Sequence, residues 1–213
     1  MVSPAELLST HVQMLHHHFQ TYYQTLDLAA SEDVSQLLFP NWHNSLQKPF
    51  LWFGDFHPNI FTNLLRSLLN TDTDDEEEDY PLVWKYPSTN LMSKVEEMEC
   101  STRLILPGIM NRYRASQSGF IEKVGYDWIH SSGKSEILKA VSGDVMAQME
   151  ELVSVFLDAN RLRRSILTEI ISATDVYQSA LYLQALAEFF TGFSDHEFIK
   201  EFEQCKVPLS VIP

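Results

Sequence analysis

The sequence predicts an all-α protein, a single bundle of long antiparallel helices with residues 1–213 forming one domain. Three observations carry that prediction. Apolar residues recur at intervals of three and four along most of the chain, only seven glycines occur in 213 residues, and the breaks in periodicity fall on capping residues and prolines. At 45% hydrophobic, a chain of this length can fill one sizeable core.

Ser3-Pro4-Ala5-Glu6 starts the first helix, with a cap residue, Pro at the first helical position and Glu three residues after the cap. Leu8, Val12, Leu15, Phe19, Tyr22 and Leu26 then form an apolar seam suited to a partner helix along most of its length. Ser31 to Phe39 predicts a short second helix stopped by Pro40, and Trp42 to Phe53 a further helical piece. That piece ends in Phe50-Leu-Trp52-Phe-Gly54-Asp-Phe-His-Pro58, where Gly54 can take positive φ and Pro58 opens the next helix. The segment reads as a tight aromatic corner between two helices, and its Trp/Phe cluster reads first as packing. Ile60, Phe61, Leu64, Leu65, Leu68 and Leu69 give the following helix a broad buried stripe.

Residues 71–80 break all periodicity with Asp72, Asp74, Asp75, Glu76, Glu77, Glu78 and Asp79. Such a run cannot bury itself and predicts an acidic disordered loop that could engage a basic partner. A calcium loop starting at Asp72 would need Gly at its sixth position and Glu at its twelfth, where Glu77 and Val83 stand. Ser88-Thr89-Asn90 caps a helix along Leu91, Val95, Met98, Thr102 and Ile105, and Pro107-Gly108 is expected to kink or break it, with a second segment through Tyr113 to Ser118. Phe120 to His130, with Tyr126 and Trp128, is bracketed by Ser-Gly turns and expected to dock on the bundle. Ser135 to Ile171 reads as one long helix with a bend allowed at Gly143 and a seam of Val145, Met149, Leu152, Phe156, Ala159, Leu162 and Ile166. Asp175 recaps a final apolar helix from Val176 to Phe190, closed by Gly192, and Asp195 caps a short tail through Phe202.

The formal charge of −14, seven negatives of which fall between Asp72 and Asp79, disfavours direct nucleic-acid binding. Arg161-Leu-Arg163-Arg164 is the densest basic cluster and reads as a solvated or salt-bridged face. His11, His16, His17 and His18 lack the three- or four-residue spacing of a helical zinc pair, and His18 reads as a hydrogen-bonded core or boundary residue. Cys100 and Cys205 have no local ligand pattern and read as free thiols of a reducing compartment. No Gly-rich phosphate loop and no nucleophile elbow occurs, and carboxylate pairs such as Glu96-Glu97 lack anything to raise a pKa. No catalytic residue, metal site or cofactor is expected, and no apolar run is long enough to span a bilayer.

In order and spacing, His18-Phe-Gln-Thr-Tyr22, Ala29-Ala30 with Asp33-Val34, Pro40-Asn-Trp42, Leu51-Trp52-Phe-Gly54 and Phe56-His-Pro58 resemble the plant delay-of-germination domain. Ala159-Asn-Arg-Leu162-Arg163 and Gln178-Ser-Ala180-Leu-Tyr-Leu183 resemble its two later signatures, so the resemblance covers about residues 8 to 190. It implies a motif core of His18, Tyr22, Trp42, Trp52, Gly54, Pro58, Leu162, Arg163 and Gln178. Where the family commonly has Lys, Glu, Gly and Arg, this chain has Leu26, Gln47, Asp55 and His57, and the family's opening tryptophan-bearing helix is absent. The basic region and zipper of the family's transcription factors are missing, and His196 stands without the second histidine of its haem-binding members, so neither DNA nor haem binding carries over. The acidic insert and the segment around Trp128 are most similar to the members that act in pollen development. That similarity implies a non-enzymatic aperture factor, a cytoplasmic scaffold recruited peripherally by protein partners to plasma-membrane patches where exine is not deposited. Two alternatives follow from the same domain: a nuclear co-regulator partnering bZIP factors, and a sensor with an apolar or haem pocket at Trp52. The reading leaves room for a homo-oligomer.

Overall fold

The computed structural model describes residues 3–70, 82–130 and 134–205, and the acidic stretch from Asp72 to Asp79 lies outside them. The fold is all-α. Helix α1 (Pro4–Leu38) begins in a capping box, with Glu6 N–H donating to Ser3 Oγ at 3.2 Å and Ser3 N–H to Glu6 Oε2 at 2.7 Å. The separate helix expected from Ser31 is instead joined to α1 across a kink at Asp33 (φ −155°, ψ 91°), whose carboxylate accepts from the Ser35 N–H at 3.0 Å. The restart is thus two residues later than its cap sequence suggests.

The helix expected from Trp42 to Phe53 does not form. Residues 41–47 turn, Lys48–Phe50 make one 3₁₀ turn, and β1 (Leu51–Trp52) pairs antiparallel with β2 (Asp55–Phe56), Leu51 opposite Phe56 and Trp52 opposite Asp55. Phe53 and Gly54 close this hairpin with φ of +45° and +78°, the two-residue loop whose twist matches that of the strands. The corner therefore joins a helix to a helix through a miniature hairpin. Helix α2 (Asn59–Leu69) follows, buried along Phe61, Thr62, Leu65 and Leu69. Burying a side chain such as Phe61 or Leu65 contributes about 2 kcal/mol.

Helix α3 (Thr89–His130) runs 42 residues straight through Pro107 and Gly108, against the expected break. Both residues are exposed, so the carbonyl one turn back that loses its donor is left to solvent. For the same reason Phe120–His130 is not a docked peptide but the last three turns of α3. Helix α4 (Lys134–Ala173) returns beside it, continuous through Gly143. Descending numbers across their contacts, Arg112 with Asp158 at 2.5 Å and Ser116 with Gln148 at 2.5 Å, make the pair antiparallel. Helix α5 (Val176–Gly192) is capped by an Asp175/Gln178 box, and α6 (His196–Gln204) by Asp195. The main core gathers Val12 and Tyr23 of α1, Phe61 and Leu65 of α2, Leu91 to Ile109 of α3, Val155 to Ile170 of α4 and Tyr182 to Leu186 of α5. A second cluster, Ala30, Val34, Leu37 and Phe156, sits where α1 ends against α4.

Candidate functional site

Arg163 stands at the centre of the molecule with no exposed surface. Its position follows from the α4 seam, since 156, 159, 163, 166 and 170 fall on one helical face. Nε donates to the Phe56 carbonyl at 2.8 Å, and one terminal nitrogen to the Asp55 carbonyl at 3.1 Å and to the Trp52 carbonyl. The other donates to Asn160 Oδ1 at 2.7 Å, and the guanidinium lies 5.6 Å from the Trp52 ring centroid. One side chain from the fourth helix thus satisfies the carbonyls of the hairpin near residue 55. The expectation of a solvated or salt-bridged face holds for Arg161, which pairs with Asp158, and for Arg164, which pairs with Asp27 at 2.9 Å, but not for the buried Arg163.

The network extends outward in two directions. Asn160, also fully buried, donates to Asp27 Oδ1 at 2.8 Å and so joins α1 to Arg163. On the other side lies the buried Asp55, whose Oδ1 accepts from the Phe56 N–H at 2.7 Å. Its carboxylate opposes ionisation of Tyr22 and Tyr23, whose hydroxyls burial already pushes far up; Asp55 Oδ2 and the Tyr23 hydroxyl make no direct hydrogen bond. Burial, with Arg163 nearby, holds His57 below the usual imidazole range, and its Nδ1 accepts from the Asn59 N–H at 3.2 Å. Gly54 completes the centre. A Cβ there would lie 2.0 Å from the Leu37 carbonyl oxygen and 3.1 Å from Phe156, so the hairpin tip is wedged between α1 and α4.

This arrangement is a clamp rather than a reaction centre. Tyrosines held neutral are poor nucleophiles, and a guanidinium already saturated by backbone carbonyls has no fork left for a substrate. The Trp52 face that could have opened on an apolar pocket is filled. Phe53 sits 4.6 Å away ring to ring, His57 5.6 Å, and its indole N–H donates to Met110 Sδ at 3.2 Å. Among the described residues no three His, Cys, Asp or Glu side chains converge as metal ligands would.

Of the motif residues, Trp52 and Arg163 meet directly, Gly54 closes the same hairpin, Pro58 and Leu162 are buried, and Tyr22 faces Asp55. Gln178 is buried elsewhere, donating to the Val83 carbonyl at 3.1 Å and so tying α5 to the 3₁₀ turn Leu82–Trp84. His18 and Trp42 are not core. His18 lies exposed beside the Phe19 ring, and in the turn after Pro40 it is His43 that faces inward, donating from Nδ1 to Gln47 Oε1 at 3.1 Å. The α1 seam also passes through Tyr23 (0% exposed) rather than Tyr22 (38%). Asp27, Tyr23 and Asn160 escaped the sequence reading; Asn160 is one turn from Arg163, which is the signal that was there to be used.

This architecture, a helical frame locked at a buried arginine and a glycine hairpin, coincides with a sequence class. The family model described as seed dormancy control matches residues 2–67, the segment from α1 through the hairpin into α2. Over 96% of this chain and 84% of its own length, Protein INAPERTURATE POLLEN1 of Arabidopsis thaliana is 41% identical to it. The Protein INAPERTURATE POLLEN 1 homolog of Oryza sativa subsp. japonica is 36% identical over 89% of the chain and 68% of its own length. Protein ZW2 of Arabidopsis thaliana is 24% identical over 92% of the chain and 83% of its own length. The chain belongs to the INAPERTURATE POLLEN1 family.

Proposed function

We propose that the chain is a pollen aperture factor that works without catalysis, as a scaffold gathered at plasma-membrane domains where exine deposition is prevented. The observation that carries the reading is 41% identity to INAPERTURATE POLLEN1 along almost the whole chain. The clamp supports it from the physical side, because the polar groups at the centre are spent on holding the frame together. No helix among the described residues is long and apolar enough to cross a membrane. Recruitment is then peripheral and through protein partners, with the acidic residues Asp72, Asp74, Asp75, Glu76, Glu77, Glu78 and Asp79 as the contact for a basic partner.

The test is complementation. A fluorescently tagged chain expressed in an apertureless mutant is expected to restore apertures and to collect in discrete membrane patches. Smooth, apertureless pollen with an even signal overturns the reading, and an exclusively nuclear signal turns it toward a transcriptional co-regulator. Deleting residues 72–79 is expected to abolish the patches while leaving the melting temperature of the purified chain unchanged; a deletion that still collects and restores apertures removes the acidic stretch from the role.

A further inference from the structure

The outer halves of α3 and α4 form an arm. Among the described residues, neither hydrophobic cluster draws anything from α3 beyond Tyr113 or from α4 before Met149. Outward of that point the two helices are held to each other, by Ser116 with Gln148 and by the Lys123–Asp144 ion pair. The arm's surface is nevertheless apolar. Ile121 and Trp128 are each 68% exposed and Ile129 77%, with Tyr126 and Met146 exposed as well. Ile121 and Trp128 are two turns apart and share a face, and across from them Val145, Met149 and Leu152 line an apolar groove of about 430 Å³. Gly125 lies between Ile121 and Trp128, and a Cβ there would meet open space, as would one at Gly119 or Gly143. Each such glycine costs a helix about 1 kcal/mol against Ala, a cost that close approach of another backbone would explain.

Charge narrows the occupant. In the sequence, Arg114 and Lys123 balance Glu122 and Asp127 on the α3 side of the arm, and Lys134 and Lys139 balance Glu136 and Asp144 on the α4 side. The arm thus carries no net formal charge in a chain of formal charge −14. A basic partner would be drawn to the acidic remainder, and an anionic leaflet would repel the chain. A near-neutral apolar face is instead a place where two copies can meet without their charges opposing them. A two-helix hairpin with one open face closes naturally by a twofold axis. We infer that a second copy of this chain covers the arm, the two arms packing into a four-helix bundle with Ile121, Gly125, Trp128 and Val145 at the seam. This does not depend on the aperture reading.

Sedimentation of the purified full chain tests it. The wild type is expected to be a dimer, and Ile121→Glu with Trp128→Glu a monomer of unchanged helicity. Met14→Glu, at an exposed apolar residue of α1, is expected to remain dimeric. In a Cys100→Ser, Cys205→Ser background, Gly125→Cys is expected to cross-link in pairs with a short bis-maleimide. A wild type that stays monomeric at tens of micromolar, a dimer that survives the arm substitutions, or a dimer in which Gly125→Cys gives no cross-link overturns the inference. So does a solution monomer whose arm binds phosphatidylcholine vesicles.

Discussion

Removing the guanidinium of Arg163 leaves the Trp52, Asp55 and Phe56 carbonyls without their donor and takes away the central cation, while Asp27 keeps Arg164. Arg163→Met is expected to destabilise the chain by about 3–5 kcal/mol in urea unfolding, and Arg163→Lys to recover little, because a point charge cannot span three carbonyls. Gly54→Ala combines a positive φ with a clash against the Leu37 backbone, and a loss of about 3 kcal/mol is expected by the same measurement. His57 contributes a pH dependence. Its folded pKa lies below the unfolded value, so between the two the unfolded chain binds more protons. Stability conferred by neutral His57 is complete above about pH 6.5 and falls as the pH drops toward the folded pKa. His57→Asn keeps an acceptor for the Asn59 N–H and is expected to flatten the decline in melting temperature below that pH. At this scale the sequence showed Gly54 and Trp52 plainly, because glycine and tryptophan in an apolar setting have few roles. It concealed Arg163, since three neighbouring arginines look alike until one sees that only the middle one shares a face with Phe156, Ala159 and Ile166.

Among elements, the long helices and their caps were legible because periodicity and capping chemistry are local. The Ser3, Asp175 and Asp195 caps all accept the hydrogen bonds their sequences promise. The hairpin was not legible. Two-residue strands carry no alternation to detect, and what holds them in place is a donor more than a hundred residues away. Pro107 misled for a different reason: its disruptive effect is an energy, and α3 has enough packing against α4 to absorb it. An interior proline costs a helix about 3 kcal/mol, so Pro107→Ala, which restores a donor on an exposed face, is expected to raise stability by about 1–3 kcal/mol. A thermal melt in which Pro107→Ala loses stability would mean that the proline shapes a bend the bundle needs.

For the whole molecule, the bonds that close the centre join distant parts of the chain: Arg163 to Phe56, Asn160 to Asp27, Tyr182 to the Phe61 carbonyl. Residues 3–70 expressed alone contain the hairpin and its buried carboxylate but none of the cations or core residues of α4. Such a fragment is expected to show little fixed tertiary structure by near-ultraviolet circular dichroism, whereas residues 3–205 are expected to show a full signal.

The late arrival of Arg163 has a further consequence during synthesis. A nascent chain emerging from the ribosome has made both halves of its glycine elbow long before the residue that locks them is translated. Until then Phe53, Phe56 and the neighbouring rings have no permanent home, and this interval is when a chaperone would find most to hold.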